Sequence, residues 1–93
     1  MNIKHINSET NGRFYYEVDG EELAHMTYTN EGVNKIIIDH TEVDSSLKGQ
    51  GIGYKLVEAA IEFVRENQIK ILPRCSFVAT VFKKKSEYND VLF

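Results

Sequence analysis

One cysteine, one proline and no long apolar run are found among the 93 residues of this chain. The single Cys75 excludes an internal disulfide framework and a cysteine-based zinc cluster within one chain, so packing has to stabilise the fold. The apolar stretch Ile36-Ile37-Ile38 has the length of a core strand, far short of the roughly 18 residues that suggest a bilayer span. The start Met1-Asn2-Ile3-Lys4-His5 shows no basic segment followed by an apolar stretch, the mark of a secretory signal. A cytoplasmic protein without a membrane partner is therefore expected. Positive charge is not in excess either, with 11 Lys plus Arg against 14 Asp plus Glu and a net charge of −3. That leaves little of the electrostatic footprint that a nucleic-acid partner needs. Repeats, linkers and low-complexity stretches are missing as well.

What is present is an ordinary globular composition, 42% hydrophobic and 27% charged, which excludes a disordered or fibrous chain. A chain of this length holds one core, so a single domain over 1–93 is expected. Its ligand site has to lie on the surface or in a shallow cleft, which suits a long ligand lying across the fold. A strand is expected over 3–6, then a turn at Thr10-Asn11-Gly12, then a strand over 13–18 rich in aromatic and β-branched residues. Asp19-Gly20 marks a tight hairpin into a strand over 21–29, because the glycine can take the positive φ of a type I′ turn. Asn30-Glu31-Gly32 turns the chain into a strand over 34–43, whose middle, Ile36-Ile37-Ile38, is apolar on both faces and so belongs inside the sheet. Beyond it the apolar period becomes helical: Ile52, Leu56, Ala60 and Phe63, with Val57, Ile61 and Val64, predict an amphipathic helix over 51–67. A short strand over 69–72 ends at Pro73, which cannot donate to a ladder. A second helix is expected over 76–85, with Phe77, Val78, Val81 and Phe82 on its apolar side. The order is ββββ, α, β, α.

Gly49, Gly51 and Gly53 lie between the apolar strand and the helix. First-turn N–H groups of a helix lack intrahelical partners and its dipole favours negative charge there, so this loop is suited to phosphate. Lys48 adds a cation. A P-loop requires four residues between its glycines and then Lys with Ser or Thr, whereas Gly49 and Gly53 enclose three and Lys55 precedes Leu56. A dinucleotide fingerprint requires two residues between its second and third glycines and an acidic residue after the next strand, and Ile71-Leu72-Pro73-Arg74 has none. Four strands that read as hairpins also precede the glycines, unlike the start of a Rossmann unit.

The string Lys48-Gly49-Gln50-Gly51-Ile52-Gly53 resembles the acyl-CoA pyrophosphate loop of the GNAT superfamily of N-acetyltransferases, Gln or Arg, two residues, Gly, one residue, Gly or Ala. Lys48 stands where that pattern has Gln or Arg, which keeps the charge and loses the planar fork. His40-Thr41-Glu42-Val43 before the loop, Pro73-Arg74-Cys75-Ser76-Phe77 after the helix and Glu87-Tyr88 near the end are similar to the small GNAT-like subfamily of roughly a hundred residues, so the resemblance covers nearly all of the chain. It implies a mixed α/β fold, ββββαβα, with a mostly antiparallel sheet and one parallel, splayed strand pair. It further implies acetyl-CoA as co-substrate, its pantetheine arm pairing with the strand that ends in Thr41-Glu42-Val43. The pyrophosphate would then lie on Lys48, Gly49, Gln50, Gly51, Ile52 and Gly53, with the thioester near the end of the strand that holds Ile71 and Leu72.

The implied reaction is attack of an amine on the acetyl carbonyl, helped by proximity, a polarising N–H and a base. Cys75, between a strand and a helix, is a candidate nucleophile toward the thioester or a mixed-disulfide partner of CoA, or else a small buried side chain. His40 is a candidate base or a packed strand residue, and Glu42 a base acting through water or a solvated carboxylate. Larger relatives place a tyrosine on the last helix to protonate the CoA thiolate. The nearest position here is Phe82, with Tyr88 as a substitute. Lys83-Lys84-Lys85 is a solvated helix end or a contact for the CoA 3′-phosphate. With little room for the helices that shape amine sites in larger relatives, the expected acceptor is a protein lysine, a peptide or a polyamine. The alternative is a non-catalytic CoA-binding or protein-interaction module. A nucleic-acid-binding sheet built on Phe14, Tyr15, Tyr16 and Tyr28 is remoter, since core packing and hairpin pairs account for those rings.

Overall fold

The computed structural model describes residues 2–93. Four strands follow one another as β1 (Lys4–Asn7), β2 (Asn11–Val18), β3 (Glu21–Glu31) and β4 (Lys35–Val43). A 3₁₀ turn (Ser45–Leu47) leads to helix α1 (Ile52–Asn67), strand β5 (Lys70–Pro73), helix α2 (Ser76–Lys84) and a final 3₁₀ segment (Ser86–Val91). The five strands lie in the order β1-β2-β3-β4-β5. The first four pair antiparallel and β4 pairs parallel with β5, which is why a helix has to carry the chain across between them. This is the mixed fold with a single parallel pair that the sequence led us to expect, and β4 does lie inside the sheet.

The β2–β3 hairpin turns at Asp19 and Gly20, both at positive φ (51° and 81°), as a type I′ turn requires. The preceding turn differs from expectation. It lies two residues earlier, closed by the Ser8 N–H donating to the Asn11 carbonyl at 2.8 Å, and Gly12 belongs to β2. The reason is close approach rather than turning: a side chain at Gly12 would meet the Tyr28 hydroxyl and, at 2.6 Å, the Ile6 carbonyl oxygen. At the other end of the chain, Pro73 is the last residue of β5 opposite Ile38. A proline is tolerated there because the ladder ends with it.

Helix α1 buries Ile52, Leu56, Val57, Ala60, Ile61 and Val64, each large aliphatic among them contributing about 1.5–3 kcal/mol. They meet Phe14, Met26, Tyr28, Ile36, Ile38 and Ile71 of the sheet and Val78, Val81 and Phe82 of α2 in one core. Both helices thus lie on one face of the sheet, and among the described residues no helix covers the other. Arg65 fastens the C-terminal segment to α1, donating to both carboxylate oxygens of Asp90 (2.8 and 3.0 Å) and to the Glu87 carbonyl (2.8 Å). The Phe93 N–H then donates to the Ile71 carbonyl at 2.9 Å, so the last residues occupy the outer edge of β5, where unpaired backbone would otherwise be exposed.

Candidate active site

The loop between β4 and α1 is built by short-range bonds. The Asp44 carboxylate accepts from the Ser46 N–H at 2.9 Å, and its bonds to the Ser46 hydroxyl and N–H hold its pKa below the usual carboxylate range. Leu47 is buried and anchors the 3₁₀ turn. Gly49 and Gly51 then adopt left-handed backbone (φ 83° and 72°), and a Cβ on either would meet nothing within 4 Å. Conformation, not crowding, selects glycine at these two positions. Gly51 is the N-cap of α1, it offers no side-chain cap, and the first turn carries no acidic residue. The positive end of the helix therefore faces open space beside Lys48.

A groove of about 310 Å³ opens at this loop. Of the residues expected to hold the cofactor, Thr41, Val43, Lys48, Gly49, Gly51, Ile52 and Gly53 all line it. Gln50 is exposed and is not among its walls. Leu47, Tyr54 and Phe77 complete the lining and were missed by sequence reasoning. Phe77 stood inside the Pro73–Phe77 segment, yet nothing local says that its ring returns to the glycine loop.

One irregularity in β4 decides which side chains reach the groove. Thr27 pairs with His40 and Tyr28 with Ile38, so Asp39 is an extra residue, a β-bulge. Before it Ile36 and Ile38 face the core; after it Thr41 and Val43 take the helix side. His40 and Glu42, alternating with them, point to the uncovered face. Pairing with β5 stops at Ile38, whose carbonyl accepts from both Arg74 (3.1 Å) and Cys75 (2.9 Å) N–H groups. From the bulge onward, β4 has β3 on one side and, among the described residues, no strand on the other. Bonded pairs alternate along an antiparallel ladder. Since the Asp44 N–H donates to the Leu23 carbonyl at 2.8 Å, the N–H and C=O of Thr41 and Val43 turn toward this open edge.

Cys75 is the N-cap of α2, and its thiol donates to Thr41 Oγ1 at 3.4 Å. Burial pushes the thiol pKa up, but the Thr41 hydroxyl and the backbone amides of Val78, Phe77 and Thr41 together outweigh it and hold the thiol below its ordinary value. The thiol lies on the groove side of the sheet, against Thr41.

The three catalytic candidates do not form one cluster. His40 and Glu42 lie on the opposite face, 60% and 67% exposed, with Nε2 and Oε2 3.8 Å apart. The His40 ring is 5.9 Å from that of His25, whose Nδ1 is 3.4 Å from Glu22. Arg13 contacts the same Glu22 at 3.0 Å. Phe82 is buried with its ring 6.3 Å from Tyr88, and neither lines the groove. The phenol that does is Tyr54. The lysine run divides: Lys85 lines a depression next to the loop with Gly51, Tyr54 and Lys55, while Lys83 lies beside Pro73 and Phe82.

Comparison with known proteins gives the family and the fold. Residues 13–91 match the family described as GCN5-related N-acetyl-transferase. A GCN5-like protein from Staphylococcus aureus, solved by NMR, is similar over 99% of this chain and 87% of its own, with 40% identity and a TM-score of 0.76. The Protein NATD1 of Xenopus tropicalis is 31% identical over 61 residues, 66% of this chain, and the match spans 56% of that protein's length. A Bacillus anthracis protein crystallised with acetyl coenzyme A shares the fold, with a TM-score of 0.62 over 85% of this chain and 48% of its own at 17% identity. The chain belongs to the GCN5-related N-acetyltransferase family.

Proposed function

We propose that the protein binds acetyl-CoA and transfers its acetyl group to a primary amine. One observation carries this reading: a groove runs from the left-handed glycines at the N-terminus of α1 to the unpaired edge of β4 beside Cys75. A pyrophosphate on Lys48 and the amides of Gly49 to Gly53 would leave a pantetheine arm to pair with Thr41 and Val43. The Bacillus anthracis protein, solved with acetyl coenzyme A, supports a ligand of this class on this fold. In the reaction the amine nitrogen attacks the thioester carbonyl, the C–S bond breaks, CoA leaves as thiolate, and the amine proton passes to a base and on to the sulfur. His40 and Glu42, on the uncovered face, would take that proton from an amine arriving on that side, directly or through water. Cys75, on the groove side, is the alternative, as a nucleophile that carries the acetyl group. The open face suits a protein lysine, a peptide or a polyamine, and the reading includes a cytoplasmic location and no nucleic-acid partner. No helix among the described residues is long and apolar enough to cross a membrane.

Calorimetric titration of acetyl-CoA into the wild type, Gly51→Glu and Lys48→Glu tests the reading. Both variants place a carboxylate against the pyrophosphate, and Lys48→Glu does so at a position with φ of −57°, free of the strain that glutamate meets at Gly51. Binding by the wild type that both variants lose, followed by amine-dependent release of CoA thiol, is the expected result. Binding with no release under any amine would assign a non-catalytic CoA-binding module. No binding at all would leave the loop a plain turn.

A further inference from the structure

Gly53 differs from the other two loop glycines. Its φ lies outside the left-handed region and it is the second residue of α1, where alanine is the better helix former. What a side chain would meet is Phe77: a Cβ at Gly53 would lie 2.9 Å from its Cζ and 3.1 Å from its Cε2, so the ring would have to move. The Phe77 ring therefore rests on a bare α carbon, with the Tyr54 ring edge-on to it at 5.6 Å and 74°. All three residues line the groove, and Phe77 stands in the first turn of α2, two residues after Cys75. The contact joins the N-terminal ends of the two helices where the groove leaves the glycine loop.

We propose that Phe77 is a specificity-determining residue of the groove, its ring seated on Gly53 so that the passage from the glycine loop to the open edge of β4 keeps the width of a single extended chain. The proposal rests on the acetyl-CoA reading above and deepens it. It also gives Gly53 a different task from Gly49 and Gly51, since its Cβ position points at an aromatic ring and theirs at open space.

The test is a double-mutant cycle read by acetyl-CoA titration, with melting temperature as the control for folding. Gly53→Ala is expected to change the melting temperature little, because the far end of the Phe77 ring can swing away, and to weaken acetyl-CoA binding about ten-fold or more as that ring moves into the groove. Phe77→Leu, which shortens the ring's reach, is expected to restore most of that loss in the Gly53→Ala chain. An equal loss whether residue 77 is Phe or Leu would overturn the proposal, because a backbone approaching phosphate at Gly53 would be blocked by alanine in both. Undiminished binding by Gly53→Ala would overturn it too, since the ring would then yield without narrowing the groove. Nuclear Overhauser contacts between the Phe77 ring and the Gly53 α protons report the seat in the ligand-free chain, and their absence counts against it directly. A wild type that fails to bind acetyl-CoA defeats the cofactor reading and this inference together, whereas a wild type that binds with no rescue defeats this inference alone.

Discussion

Tyr28 is 1% exposed, with its hydroxyl 2.6 Å from His5 Nε2. Burial pushes the phenol up to about 12 and holds the His5 imidazole below its usual value. His5 is stacked on Phe14 at 4.0 Å and meets Phe63 edge-on at 4.5 Å, surroundings that favour the neutral ring. The unfolded chain titrates this histidine near 6.5, so below that pH the unfolded state takes up a proton that the folded state resists. Stability is therefore full above about 6.5 and falls as the pH drops toward the folded pKa. Thermal melts between pH 7.5 and 5 should show a steeper decline for the wild type than for His5→Gln, which has no group titrating there. Parallel declines would mean that other groups set the slope. At the alkaline end the buried phenol has the opposite sign, and its contribution is lost as pH rises above about 10. The composition did not reveal this pair, because residues 5 and 28 meet only through the β1-β2-β3 register.

At the scale of elements, the bulge at Asp39 assigns the faces of the site. Regular alternation along Ile36-Ile37-Ile38-Asp39-His40-Thr41-Glu42-Val43 would put His40 and Glu42 on the core side with Ile36 and Ile38. The extra residue reverses this and delivers Thr41 to Cys75. Removing Asp39 should leave Ile38 opposite Tyr28 and His40 opposite Thr27, so that plain alternation keeps Thr41 against Cys75 and the thiol pKa where it is, whereas Thr41→Val, which removes only the hydroxyl, should let that pKa rise. The pH profile of Cys75 alkylation measures both outcomes. A deletion variant that folds with a shifted alkylation profile would mean that Asp39 is not the residue the ladder passes over. A bulge of this kind carries no glycine and no break in hydrophobicity, so the local pattern hides it. The glycine loop is the opposite case. Its glycines and the helical stripe that follows are local properties, and both are legible in the sequence, while the left-handed backbone at Gly49 and Gly51 is seen only in the structure.

For the molecule as a whole, one core on one face of the sheet holds every buried contact of α1 and α2, and the groove lies where the two helices and the end of β4 meet. A ligand seated there binds only the folded chain, so binding and stability are linked. Acetyl-CoA at about a hundred times its dissociation constant should stabilise the fold by about 2.7 kcal/mol, which for a domain of this size raises Tm by roughly 10–20 °C. Scanning fluorimetry should show that rise for the wild type and none for Lys48→Glu, and a flat wild-type Tm would count against a cofactor in the groove. The sequence by itself determined the order ββββαβα, the Asp19-Gly20 hairpin, the amphipathic α1 and a glycine loop at its start, because positive φ, side-chain period and the lack of a proline N–H act within a few residues. Only the tertiary structure decided that Thr41 meets Cys75, 34 positions away, that Phe77 rests on Gly53, and that His40 and Glu42 face away from the groove. Each of these depends on strand register and helix packing between distant segments, and a shift of one residue in β4 would exchange the faces without altering any local pattern.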